Sequence, residues 1–247
     1  MQEIKIGNDV IVLYEDIEEL PVRNFQKFNK FILVDSGVGS DVAAINNRIA
    51  RTSGFIKAKK EKEAYAELEN LRKSMFLVAE EISPEHLSFT CLISKINGKS
   101  FEWKSDADLE RTSKALGDIK IGLVRRILNT FKKKVESDLQ EYFPKRFNAV
   151  SLREQFDKLK KKSLLILDGI IEKNIPTEAI EKIDMYLLML NKPQVFTGPK
   201  GAEVIYDKSF EQLCVYLTDK TSVSMENATT RQFYNALDYA EAKTKNG

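Results

Sequence analysis

Apolar residues recur at intervals of three and four along most of this chain, a period that admits little besides amphipathic helices. Val22, Phe25, Phe28 and Ile32 open the pattern, and Val42, Ile45, Ile49 and Ile56 repeat it. Ala64, Leu68, Leu71, Met75, Val78 and Ile82 carry it over a longer stretch. It returns as Leu123, Ile127, Phe131, Val135, Leu139 and Tyr142, then as Leu152, Phe156, Leu159, Leu165 and Ile170. Charged residues, 31% of the chain, occupy the other faces, so each stripe needs a neighbour to cover it. The expected fold is mainly α, an irregular multi-helix bundle, with Phe25, Phe28, Ile45, Ile49, Leu68, Leu71, Phe131 and Leu139 in its core.

Punctuation between the stripes sets the element boundaries. Pro21 suits a first helical turn, where its missing N–H costs nothing. Gly37 and Gly39 stop that helix, and Ser40 or Asp41 can cap the next. Ser83-Pro84, Gly117 and Pro144 end later helices, Ser105 and Asp106 cap one, and Pro176-Thr177-Glu178 opens another that runs to Leu190. Shorter helices are expected over Phe210–Leu217 and Ala228–Ala242. Ile4 and Ile6 alternate with polar neighbours, Gly7-Asn8 can turn, and Val10 to Tyr14 can return, which predicts an N-terminal β-hairpin. Leu87 to Ile96 fits either helix or strand; Asn97-Gly98 is a strong turn, and Phe101 to Trp103 can return from it. Lys192 to Tyr206, with Pro193, Gly198, Pro199 and Gly201, reads as a loop or a small C-terminal hairpin near 195–206. Three stretches follow, 1–104, 105–191 and 192–247, which one continuous domain could also unite.

Composition narrows the function classes. Thirty-nine Lys and Arg face thirty-seven Asp and Glu, a net charge of +2, too weak a field for a dedicated nucleic-acid or membrane-surface protein. The basic runs Lys132–Lys134 and Lys158 with Lys160–Lys162 read as solvated helix faces. The longest apolar run, Met185 to Leu190, falls far short of the roughly 20 residues that span a bilayer. Met1 to Lys5 lacks the apolar core of a secretory leader. Cys91 and Cys214, far apart and each in an apolar stretch, read as buried thiols of a reducing compartment.

Few residues suggest chemistry. Asp35 to Asp41 would hold a phosphate if Phe31 to Asp35 were a strand and Asp41 began a helix, with Ser36, Gly37, Gly39, Ser40 and Asp41 around the ligand. No lysine closes the segment as in a P-loop, and an interhelical turn explains the same residues. His86, the only histidine, reads as a helix-start residue, and Asp168 as an exposed helix residue despite its apolar neighbours. No nucleophile–base pair or metal-ligand spacing is legible, so no cofactor, no metal and no turnover are expected.

Leu20-Pro21-Val22-Arg23-Asn24-Phe25-Gln26-Lys27-Phe28-Asn29-Lys30 with Asp35 to Asp41 resembles proteins encoded among tailed-bacteriophage structural genes. The closing pattern Thr230-Arg231-Gln232-Phe233-Tyr234-Asn235-Ala236-Leu237 is similar to the C-termini of phage tail-assembly, chaperone-like proteins. The resemblance implies a non-enzymatic virion assembly or structural protein of the tail or connector region. Its partners would be other phage structural proteins or a second copy, and its place the cytoplasm of the bacterial host or the virion. The alternative is a phage-encoded binding protein that sequesters a small phosphorylated ligand at Ser36 to Asp41, or a host factor. Phe233, Tyr234 and Tyr239 of the last helix are placed either to dock a partner or to pin that helix to its own core.

Overall fold

The computed structural model describes residues 2–6, 9–35, 42–79, 83–117, 119–147, 150–190, 194–195, 198 and 200–245. The alternating N-terminal residues form β1 (Gln2–Ile6) and β2 (Asp9–Leu13), an antiparallel pair. The ambiguous segment after residue 84 divides between both states. Ser83 caps α4 (Pro84–Cys91), accepting from the backbone N–H of His86, and the chain then extends as β3 (Ile93–Ile96). The return strand β4 is Lys99–Ser100, earlier than the expected 101–103. Asn97 and Gly98 both have positive φ, as a tight hairpin turn between right-twisted strands requires. The Asn97 side chain accepts from the N–H of Val10 at 2.8 Å and donates to Asp9 at 2.7 Å, tying this turn to the first hairpin. β2 pairs with β3, giving one four-stranded antiparallel sheet in the order β1-β2-β3-β4.

The remaining elements are helices. α1 (Val22–Asn29) buries Val22, Phe25 and Phe28, as its spacing predicts, and continues as a π-helical segment, Lys30–Asp35. α2 (Val42–Lys57) and α3 (Glu61–Ala79) form a hairpin. α5 (Asp106–Ala115) starts with a capping box, in which the Ser105 side chain accepts from the Asp108 N–H and the Asp108 carboxylate accepts from the Ser105 N–H. α6 (Ile121–Tyr142) is the long helix of the core, burying Val124, Ile127, Leu128, Phe131, Val135 and Leu139. Pro144 ends it and opens the short α7 (Pro144–Phe147). α8 (Val150–Ile171) and α9 (Thr177–Leu190) form a second hairpin. α10 (Ala202–Thr221) and α11 (Thr230–Lys245) close the fold. The expected C-terminal β-hairpin is corrected: residues 202–206 are the first turns of α10, which Gly201 caps, and no strand occurs there among the described residues.

One apolar core joins the sheet, α1, α4 and α6, where the Phe28 and Phe131 rings meet edge to face at 5.2 Å. A second, smaller cluster joins α1, α10 and α11 through Val22, Leu217, Met225 and Phe233. Between them the chain is stitched across 210 residues. Thr230 donates both its N–H and its hydroxyl to the Leu20 carbonyl, at 2.9 Å each, and Pro21 bridges Thr229.

The α2–α3 hairpin departs from expectation. Ile49 and Leu68, expected in the core, are exposed. The residues turned inward are Arg48, Thr52 and Phe55 on α2, and Glu67, Asn70, Ser74 and Leu77 on α3. Both helices carry two stripes of the same period, one apolar and one polar. The inward face mixes Phe55 and Leu77 with these polar residues, and its charges pair there: Arg48 meets Glu67 at 2.6 Å, and Arg51 lies 3.0 Å from the other carboxylate oxygen.

Candidate functional site

Ser36, Gly37, Gly39, Ser40 and Asp41 lie outside the described residues. The premise of a phosphate cradle there is nevertheless corrected, because residues 31–35 are helical, so no strand delivers those glycines to a helix start. His86 stands in the first turn of α4, half-buried, with Nε2 3.1 Å from the Ile119 carbonyl oxygen. Asp168 is exposed on α8. The Lys132–Lys134 run is solvated, and two of its lysines pair with acids, Lys132 with Glu136 and Lys134 with Asp16. Among the described residues, no group of three or more His, Cys, Asp or Glu is placed to hold a metal ion, and no helix is long and apolar enough to cross a membrane.

Of the three C-terminal aromatics, two serve the chain's own core. Phe233 packs on Phe210, and Tyr234 packs on Phe143, Phe147 and Phe233, with ring centroids 5.3–5.7 Å apart. Burial lifts the Tyr234 hydroxyl above its ordinary pKa. Both rings are engaged within the chain's own fold. Tyr239 faces outward, with the Lys243 ammonium over its ring at 5.0 Å.

A groove of about 870 Å³ lies between α1, the start of α5 and α10. Asp207 anchors one wall, accepting from Gln26 at 2.9 Å and Lys30 at 3.0 Å. Burial alone would raise its pKa, but these donors hold the carboxyl below the ordinary value. Lys27 joins Asp106 to the same network at 3.0 Å. The groove carries three cations, Arg23, Lys27 and Lys104, against five carboxylates, Asp106, Asp207, Glu211, Asp219 and Glu226, a balance that repels phosphate. Cys214, expected to be buried, is half-buried in this groove; burial, with Glu211 nearby, pushes its thiol to about 11, so it is no activated nucleophile. Cys91 is wholly enclosed and shifted upward by burial.

The surface feature that sequence reasoning missed is the outward apolar face of the helical hairpins. Val42, Ile49 and Ile56 stand seven residues apart on α2, and Leu68, Met75 and Phe76 stand on α3, all between 48% and 68% exposed. Burial drags the Arg48 guanidinium, inside the hairpin, below its usual pKa despite Glu67, although an arginine stays charged. α8 has the same character. Lys158 and Lys162 face α9, Lys158 over the Tyr186 ring and Lys162 paired with Asp184, and Gly169 faces the turn before α9, where a Cβ would stand 2.7 Å from the Ile175 backbone. About 200° around the helix, Leu164, Leu167 and Ile171 are 49%, 55% and 78% exposed. The signal was present in the sequence: α8 is apolar at 164–167 and 170–171, nearly all round, and a helix of that kind belongs in an interior. Against known protein families, curated proteins and solved structures, the chain gives no match.

Proposed function

We propose that the chain is a non-enzymatic bacteriophage virion assembly or structural protein, of the tail or connector region, that works by binding other structural proteins. The observation that carries this reading is the α2–α3 hairpin, which buries the Arg48–Glu67 pair and leaves Val42, Ile49, Ile56, Leu68, Met75 and Phe76 exposed. Exposed apolar surface gathered on one element in this way supports a contact role, because leaving it in water forfeits about 25 cal/mol per Å². The two segments that resemble phage tail proteins also meet in space, joined by the Thr230–Leu20 hydrogen bonds and the Pro21–Thr229 bridge, so they act as one packed unit. Sequestration of a phosphorylated ligand has less support, since the groove between α1 and α10 is rimmed by carboxylates.

The test is made in the phage that carries the gene. Leu68→Glu with Met75→Glu changes two exposed side chains and is expected to leave the protein folded and at normal abundance. Infectious yield is expected to fall, with incomplete particles accumulating under the electron microscope. Normal yield and normal particles would remove the assembly reading.

A further inference from the structure

Resting on that reading of the chain as a contact protein, we infer that one of its partners is a second copy of itself, seated on α8 in antiparallel orientation. The seam is Lys160, Leu164, Leu167 and Ile171, spaced four, three and four, the spacing of a coiled-coil face. It points away from α9, and its three apolar members are about half exposed or more. The two hairpins would complete a four-helix bundle, the ordinary way for a helical hairpin to cover an apolar back.

Charge fixes the direction. Lys160 and Lys161 stand exposed at one end of the seam and Asp168 and Glu172 at the other. None of the four has an ion-pair partner within 4 Å among the described residues, whereas Lys162 is held by Asp184 and Glu178 by Lys182. Carboxylates at the C-terminal end of a helix oppose its dipole, so α8 itself gives no reason for Asp168 and Glu172 to be there. An antiparallel copy gives one. When Leu164 meets Leu167 of the second copy, Lys160 comes level with Ile171 of that copy, one residue from its Glu172, and Lys161 lies two residues from its Asp168. A parallel copy would instead set lysine against lysine and carboxylate against carboxylate. The pairing is isologous, so it closes at two chains and leaves α2 and α3 free for other proteins.

Sedimentation equilibrium of the full-length chain tests this. The wild type is expected to be a dimer in the micromolar range at low salt, weakening as salt rises. Leu164→Glu with Leu167→Glu is expected to give a monomer whose circular dichroism is unchanged, and Ile171→Lys, at the most exposed seam position, serves should that double variant misfold. Lys160→Glu with Lys161→Glu is expected to weaken the dimer roughly tenfold, and adding Asp168→Lys with Glu172→Lys to restore it. A monomeric wild type, a dimer indifferent to the seam substitutions, or a charge swap that fails to restore association would overturn the inference. The phage experiment on Leu68 and Met75 is independent, so a monomer that still fails to assemble particles when those two are changed would leave the contact function standing without self-pairing.

Discussion

Replacing Glu67 by Gln should unmask the charge pair inside α2–α3. Glu67 is wholly buried and Arg48 is 4% exposed, at 2.6 Å, while Arg51 is 40% exposed. Glutamine keeps the volume and removes the charge. Arg51 can turn to water, so its share of the loss is below about 1 kcal/mol. Arg48 cannot. With charge centres about 4 Å apart and an effective dielectric near 20, the attraction lost is about 4 kcal/mol, within the range of about 3–5 kcal/mol for breaking a buried pair. Removing both partners, as Arg48→Leu with Glu67→Leu, strands no charge and should leave stability within about 1 kcal/mol of wild type or raise it. Urea unfolding read by circular dichroism and by the single tryptophan, Trp103, measures all three proteins. A Glu67→Gln cost below about 1 kcal/mol, or a double variant as unstable as the single, would refute the buried-pair account.

Phe131→Ala removes a 6%-exposed ring from the edge-to-face pair with Phe28 and is expected to cost about 3–5 kcal/mol by the same unfolding assay; an unchanged midpoint would contradict its place in the core. Asp207→Asn should destabilise in a pH-dependent way. The Asp207 carboxyl titrates lower folded than unfolded, so its contribution is present above the ordinary carboxylate range, near pH 4, and is lost as pH falls through its lowered value. The gap between wild type and variant is therefore expected to close in acid, and a gap that widens there would contradict the assigned donors.

Helix positions were legible because the signals were local. The α6 stripe appears at Ile127, Phe131, Val135 and Leu139, although Val124 turns inward in place of Leu123 and Tyr142 is exposed, and the stop at Pro144, the Ser105 cap and the Asn97-Gly98 turn fall at the expected residues. The start of α10 was missed because Pro199 and Gly201 look like loop residues, whereas Gly201 is the helix cap. Which way α2 and α3 face was not legible, since period alone does not say whether the apolar or the polar stripe turns inward. Arg48, Glu67, Asn70 and Ser74 share the helical spacing of Ile49, Leu68 and Met75, and only the pairing of Arg48 with Glu67 across the hairpin decides between them. The groove between α1 and α10 was equally hidden, because Lys27 and Asp207 are 180 residues apart.

Three methionines report directly on whether the outward helix faces are contact surfaces. Met75 on α3 and Met185 on α9 are 59% and 37% exposed, and Met225 is 2% exposed. Mild peroxide oxidation followed by mass spectrometry should therefore modify Met75 fastest and Met225 slowest in the isolated chain. In assembling or finished particles, Met75 is expected to be protected several-fold relative to the isolated protein, with Met225 slow in both. Equal oxidation of Met75 in the two states would contradict the claim that partner proteins cover the outer face of α2–α3.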